Sequence, residues 1–219
     1  MKEVLIIAHH FPPMGGPGTV RSVAVVRNLP AYGYKPTVLT ISEADARDHF
    51  HPMDDSMTAL VKGVEVVRVP SREPRRLKQF LRRARLMRLV WYFFFPLFWE
   101  SSALWPLSAY RTAKSLVEAR GIRLVYTTSS PYSSILLAFL LKISLDVKWV
   151  ADLRDPYTDG YMWQWPSRLH WGICRLLERM LLRFPDMVVV NTPAVAALYR
   201  EREYVKEDRI QAITNGYLC

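Results

Sequence analysis

Three glycines near the amino terminus form the first group of residues whose spacing suggests chemistry. Gly15, Gly16 and Gly18 follow an apolar run at 3–8 and precede a helical pattern. A glycine-rich turn lets the backbone approach a ligand closely, and the first N–H groups of the following helix attract anions. The pattern predicts a loop that binds phosphate, although an ordinary turn would use the same glycines.

A charged cluster stands at the end of a later apolar run, 147–152. Asp152, Arg154 and Asp155 place two carboxylates on either side of a guanidinium. Carboxylates can orient an arginine toward a phosphate, or accept hydrogen bonds from a sugar, so we expect these three residues to be catalytic. A purely structural group of ion pairs is the alternative interpretation.

Hydroxyl groups are dense at the end of another apolar run, 123–128, and Pro131 follows them at a position suited to a first helical turn. These hydroxyls either cap the next helix or bind the hydroxyls of a sugar. An aromatic and polar loop at 158–166 is typical of carbohydrate-facing loops. The candidate acceptor-binding residues are His10, Thr128, Ser129, Ser130 and Tyr157.

The stretch 71–110 differs from the rest, because an arginine-rich block there meets an aromatic block at 89–99. The unbroken apolar run is about half of the roughly 20 residues that a transmembrane helix needs. Arginines beside aromatic rings favour an interfacial anchor on an anionic membrane, and a basic helix followed by a core segment is the alternative. Nucleic acid is not expected, because the two blocks are consecutive rather than interleaved. The candidate membrane-binding residues are Arg82, Arg83, Arg85, Trp91 and Trp99.

The elements that must position these groups alternate between β-rich runs and helical patterns. This order predicts an α/β fold, a Rossmann-like doubly wound and mainly parallel sheet with helices on both faces. Such sheets bind ligands at the carboxyl ends of their strands, where all the candidate groups fall. A helix is predicted over 19–32 and a mobile loop over 43–60. Strands are predicted near 3–8, 36–41, 64–69, 123–128, 147–152, 187–191 and 210–214.

Composition limits the classes of function. The 219 residues carry 30 Lys and Arg against 20 Asp and Glu, so the net charge of +10 favours an anionic partner. Two cysteines suggest neither a disulfide framework nor a metal site, and the start lacks the pattern of a secretory signal. We therefore expect no metal and a cytoplasmic protein, and the basic and aromatic stretch would place it peripherally at the inner face of the plasma membrane.

Four short motifs, at 11–18, 151–157, 191–194 and 213–217, resemble in order and spacing the amino-terminal domain of a GT-B glycosyltransferase of family 4. In that family two Rossmann-like domains face each other across a cleft; the first binds the acceptor and the second binds most of the nucleotide-sugar donor. The resemblance implies that Gly15 and Gly16 approach the donor diphosphate. It also implies that Asn215 and Gly216 form an interdomain hinge and begin the connection to the second domain.

The resemblance implies one domain over 1–219, with an insertion at about 71–110, and places the family's second domain beyond Cys219. The chain is then the acceptor-binding half of a retaining, metal-independent transferase that acts on a lipid-linked or envelope polysaccharide acceptor. It would bind no cofactor tightly, with the nucleotide-sugar as donor substrate, and a second polypeptide could supply the nucleotide-binding domain. Two alternatives stay open: a non-catalytic membrane-associated module, and a nucleotide-sugar epimerase of the same architecture.

Overall fold

The fold is built on one sheet of parallel strands, in a computed structural model that describes residues 1–48, 53–72, 80, 83, 103–160 and 165–216. Seven strands lie in the order β3-β2-β1-β4-β5-β6-β7, and every pair is parallel. Each of the seven predicted strands is confirmed. Their bounds are β1 Lys2–Ala8, β2 Tyr34–Ile41, β3 Glu65–Val69, β4 Leu124–Ser129, β5 Lys148–Leu153, β6 Met187–Val190 and β7 Ile210–Ala212.

Six α-helices connect the strands within the described residues. They are α1 Pro17–Asn28, α2 Glu43–Asp48, α3 Trp105–Arg120, α4 Ser133–Ser144, α5 Arg168–Leu181 and α6 Pro193–Glu201. The predicted first helix divides into α1 and a 3-10 turn, Leu29–Tyr32, which ends at Gly33 with a φ of 80°. Glycine adopts this left-handed conformation without the steric cost that a Cβ would bring.

Alternate residues of β1 belong to two separate hydrophobic cores. Leu5 and Ile7 join a core that includes buried side chains of α3, α4 and α6. Val4 and Ile6 join a second core that includes buried side chains of α1. Because successive side chains of a strand point to opposite faces, the sheet carries helices on both faces, as the sequence predicts.

The order of the strands reverses between β1 and β4. From β1 the chain proceeds to β2 and β3 on one side, and from β4 it proceeds through β5, β6 and β7 on the other. This is the topological switch point at which open parallel sheets leave a crevice for ligands. The site is therefore expected at the carboxyl ends of β1, β4 and β5.

Two predictions about connecting segments need correction. Residues 43–60 are not simply a loop, because they contain α2 and two 3-10 turns, with Asp45 and Met57 buried. Asp45 accepts hydrogen bonds from the Ser42 hydroxyl and the Ser71 N–H, which ties the segment to the end of β3. The stretch 71–110 also ends earlier than predicted, because Trp105 begins α3, is fully buried and donates its indole N–H to the Val69 carbonyl.

Candidate functional site

The strand register brings the predicted site residues to one edge of the sheet. Ala8 of β1 lies opposite Thr128 of β4, and Thr128 lies opposite Asp152 of β5. The residues that follow, including His10 and Arg154, therefore emerge side by side at the switch point. The glycine loop leaves the same edge, because it directly follows β1.

The glycine loop turns the chain from β1 into α1. Gly16 is the residue before the helix and has a φ of 98°, which strains any residue with a Cβ. Its carbonyl accepts the N–H groups of Thr19 and Val20, so those two amides are already used inside the first turn. Gly15 and Gly16 are half-buried, and Gly18 is buried. The amides that can turn toward an anion are therefore those of the glycines.

Arg154 lies over the first turn of α1. A Cβ added at Gly18 would sit 2.7 Å from Nη1 of Arg154 and 3.1 Å from Nδ1 of His10. Arg154 donates from Nε to the Ser129 carbonyl at 2.5 Å and from Nη2 to the Ser130 carbonyl at 3.3 Å. A glycine at 18 lets the guanidinium and the imidazole lie against the helix start without being displaced.

The charge of Arg154 is balanced at a distance rather than by a contact. Burial lowers the pKa of Arg154 from its ordinary value, and the negative charges of Asp155 and Asp152 oppose that shift. The two hydrogen bonds that the structure gives Arg154 both end on neutral carbonyl oxygens. An anionic ligand would therefore find a partly buried cation with a charge still to be matched.

Asp152 has a different environment from the one the sequence suggests for a catalytic group. Its side chain is fully buried, and Arg21 binds its two oxygens with two hydrogen bonds, of 2.6 and 2.7 Å. The Tyr126 hydroxyl donates to the same carboxylate. Within the described residues, Asp152 thus acts as the anchor of α1, while Asp155 is the exposed carboxylate of the predicted trio.

Arg21 is the residue that sequence reasoning missed. Burial opposes its charge, but the hydrogen bonds and the charge of Asp152 outweigh burial and raise the pKa of Arg21 above its ordinary value. Its Nη1 also donates to the Ile213 carbonyl at 3.1 Å and to Oδ1 of Asn215 at 3.0 Å. Its only sequence signal is a charged residue among the apolar positions of α1.

Asn215 and Gly216, the predicted interdomain hinge, are exposed at the carboxyl end of the described chain. Arg21 therefore links this segment to both α1 and β5. The hinge role itself stays a prediction.

The predicted hydroxyl residues differ in their burial and in their hydrogen-bond partners. Thr128 and Ser129 are buried, whereas Ser130 is half-buried. The Ser129 hydroxyl has no hydrogen-bond partner among the described residues, and the residue is almost completely buried, with only 1% of its surface exposed. A buried hydroxyl without a partner costs free energy until a ligand or a water satisfies it. Ser129 is thus the fully buried hydroxyl of this group that still has bonding capacity.

The loop after β5 is held by α5 rather than by the ligand edge. Glu178 is buried and accepts the N–H groups of Tyr157 and Thr158, the Thr158 hydroxyl at 2.6 Å and the Tyr199 hydroxyl at 2.7 Å. Burial raises the pKa of Glu178, and the hydrogen bonds from Thr158 and Tyr199 oppose that rise. Tyr157, a predicted acceptor residue, is only 7% exposed and packs on Tyr132 with ring centroids 4.3 Å apart.

Several predicted residues lie outside the described residues. These are four of the candidate membrane-binding residues, Arg82, Arg85, Trp91 and Trp99, while Arg83 is described and exposed. In the described part of the chain, no helix has both the length and the apolar character needed to cross a bilayer. The same part contains no group of three or more His, Cys, Asp or Glu residues arranged to hold a metal ion.

The fold and the position of the ligand edge define a Rossmann-like domain of the GT-B kind. The model of the Glycosyl transferase 4-like domain family matches residues 15–216, and the chain belongs to that family. This confirms the resemblance recognised in the sequence. No curated protein matches the chain.

Solved structures with the same fold include glycosyltransferases and epimerases. A sucrose-phosphate synthase from Thermosynechococcus elongatus has a TM-score of 0.62 at 14% identity, over 99% of this chain and 49% of that chain. A glycosyltransferase from Rickettsia africae has a TM-score of 0.58 at 12% identity, over 98% and 43%. A UDP-GlcNAc 2-epimerase from Methanocaldococcus jannaschii has a TM-score of 0.55 at 10% identity, over 98% and 46%. The chain thus spans about half the length of each.

Proposed function

We propose that this chain is the acceptor-binding half of a retaining glycosyltransferase, which transfers a sugar from a nucleotide-sugar to a lipid-linked or envelope polysaccharide acceptor at the inner face of the plasma membrane. The observation that carries the proposal is the meeting of Arg154, His10 and Gly18 at the switch point. Three different elements supply these groups, and the carbonyl of Ser129, whose buried hydroxyl has no described partner, accepts a hydrogen bond from Arg154.

The geometry supports separate groups of residues for the donor and for the acceptor along this edge. Arg154 and the glycine amides would meet the donor diphosphate, since a guanidinium and main-chain N–H groups suit phosphate oxygens. They would stabilise the charge that develops on the leaving phosphate, without a metal. The exposed Asp155 and the hydroxyls of Ser129 and Ser130 would face the acceptor sugar. Asp152 would serve by fixing α1 through Arg21.

The test is an NMR titration of the full chain with UDP and, separately, with inorganic pyrophosphate. We expect weak saturable binding, with shifts at the amides of Gly15, Gly16 and Gly18. Arg154→Gln should reduce affinity by about ten- to a hundredfold, the range for a hydrogen bond to a charged group. Arg123→Gln is the matched control, because Arg123 is 77% exposed and lies at the amino-terminal end of β4, away from the ligand edge. Equal affinities for the two variants would overturn the proposed phosphate contact.

A transfer assay tests the division into halves. We expect little or no sugar transfer from a nucleotide-sugar by this chain alone, because the family's second domain supplies most of the donor contacts. Transfer at ordinary enzymatic rates by the purified chain would refute that part of the proposal. A neighbouring coding stretch for a nucleotide-binding domain favours the split transferase, and its absence favours the non-catalytic module.

A further inference from the structure

The outer surface of α5 carries an apolar stripe. Five side chains are exposed between 39% and 70%, and the four that lie within the helix form a band that spans roughly 60° of its circumference at 3.6 residues per turn. The members of this stripe are Leu169, Ile173, Leu176, Met180 and Phe184, the last lying just beyond the helix end. A band of this kind is unusual on a solvent-facing helix, whose outer positions are normally polar.

An arginine stripe runs beside the apolar stripe. Arg168, Arg179 and Arg183 are exposed at adjacent angular positions of the same helix and its end. Arg175 lies next to them, with its guanidinium 5.0 Å from the centre of the Trp171 ring. The one carboxylate of α5, Glu178, is on the opposite face and buried. The exposed surface of α5 is therefore divided between apolar side chains and positive charges.

The apolar surface continues onto α4. The Phe139 ring contacts the Phe184 ring edge to face, with centroids 4.7 Å apart. Leu136 and Ile143 stand three residues before and four residues after Phe139, on the same face of α4, and are 36% and 57% exposed. The stripe thus widens from one helix into a patch shared by two.

We propose that the outer face of α5, extended by α4, docks this protein on an anionic lipid bilayer. The 14 residues of α5, at about 1.5 Å each, fall short of the ~30 Å hydrocarbon core, so the helix lies in the plane of the interface. Its apolar stripe enters the headgroup boundary and its arginines meet anionic headgroups. A second copy of this face is a poor occupant, because pairing would bring two arginine-rich surfaces together.

Docking on α5 would also orient the acceptor side of the site. The buried face of α5 holds the loop after β5 through Glu178, so the helix that meets the lipid is the helix that fixes Tyr157 and Thr158. This consequence rests on the proposed function. The docking itself does not, since vesicle binding is measured without donor, acceptor or turnover.

The test is co-sedimentation of the full chain with phosphatidylcholine vesicles and with vesicles that also contain phosphatidylglycerol. We expect binding to the anionic vesicles only. The double variant Leu176→Ser with Met180→Ser should weaken it at least tenfold, since both side chains lose apolar area that the interface would bury. Leu107→Ser is the matched control, because Leu107 is an equally exposed leucine, at 66%, on α3.

The charge is tested separately. Arg179→Gln with Arg183→Gln should weaken binding to anionic vesicles by roughly thirtyfold, the effect of about 1 kcal/mol for each arginine near the surface. Circular dichroism and urea unfolding should be unchanged, since all the altered side chains are exposed. A variant with Arg82, Arg83 and Arg85 changed to Glu tests the contribution of the 71–110 segment to vesicle binding separately from that of the α5 surface. Retention of full binding by the α5 variants, or loss of a dimer in the same variants, would overturn the proposal.

Discussion

Arg21 and Arg154 lie at the same edge of the sheet but differ in their hydrogen-bond partners. Arg21 is bound by both oxygens of a buried carboxylate, and its pKa is raised. Arg154 is bound by two carbonyls, and burial lowers its pKa. The difference shows that the fold uses the charge of Arg21 fully, whereas the charge of Arg154 has no carboxylate in contact and could be matched by the proposed anionic ligand. An arginine whose charge is fully paired stabilises the fold, whereas an arginine whose charge is only partly paired is available to bind an anion.

The largest expected effect, on the free energy of unfolding, comes from breaking the ion pair between Arg21 and Asp152. Asp152→Asn should lower the free energy of unfolding by about 3–5 kcal/mol, because it leaves the Arg21 charge buried without its counter-ion. Urea unfolding measures the change. Asp146→Asn serves as the control, since Asp146 is an almost fully exposed carboxylate paired with Arg123, and should have no measurable effect. A small loss for Asp152→Asn would mean that the pair does not anchor α1.

The next effect concerns the space that Arg154 occupies. Gly18→Ala should displace the Arg154 guanidinium, because the new Cβ would lie 2.7 Å from Nη1, while the backbone of α1 accepts alanine. We expect about a tenfold loss of pyrophosphate affinity in the NMR titration. The control is Gly172→Ala in α5, where nothing lies within 4 Å of a Cβ, and which should stabilise the helix by about 1 kcal/mol. Unchanged affinity in Gly18→Ala would separate Arg154 from the anion.

A smaller effect is expected from removing the Arg154 charge itself. Arg154→Met should change the free energy of unfolding by less than about 1 kcal/mol, because an apolar side chain avoids the desolvation cost that burial imposes on the guanidinium. Thermal and urea unfolding give the comparison with Asp152→Asn. A loss as large as that of Asp152→Asn would show that Arg154, too, is chiefly structural.

The smallest effect should come from the carboxyl-terminal contact. Asn215→Ala removes one of the hydrogen bonds of Arg21 but leaves Asp152 and the Ile213 carbonyl in place. Because Asn215 is exposed, we expect a loss of a few tenths of a kcal/mol at most. Hydrogen exchange at Ile213, whose N–H donates to the Val190 carbonyl, should nevertheless become faster. Protection that does not change would indicate that Arg21 does not hold this segment.

The fold could be predicted because each strand carries its own local signal. Runs such as 187–191 are apolar and β-branched, and the breaks between them follow glycine and proline. The edge of the sheet where Arg154 and Ser129 emerge follows from parallel topology alone. Local patterns were enough for the architecture and for the place of the site.

The partners of the site residues could not be predicted in the same way. Arg21 and Asp152 stand 131 positions apart, and no local pattern connects them. The sequence pairs Asp152 with its neighbour Arg154, whereas in the structure both of its oxygens accept hydrogen bonds from Arg21 of α1. Glu178 and Asp45 were missed for the same reason, because each is a polar residue whose partners come from a distant segment or a buried turn.

The close approach of Gly18 to Arg154 also constrains how these two positions can change in evolution. A side chain gained at position 18 would displace the Arg154 guanidinium, because a Cβ there would lie 2.7 Å from Nη1. Selection for the present position of the guanidinium would then keep glycine at 18 together with arginine at 154. The two positions, distant along the chain, should covary as a single unit among the relatives of this protein.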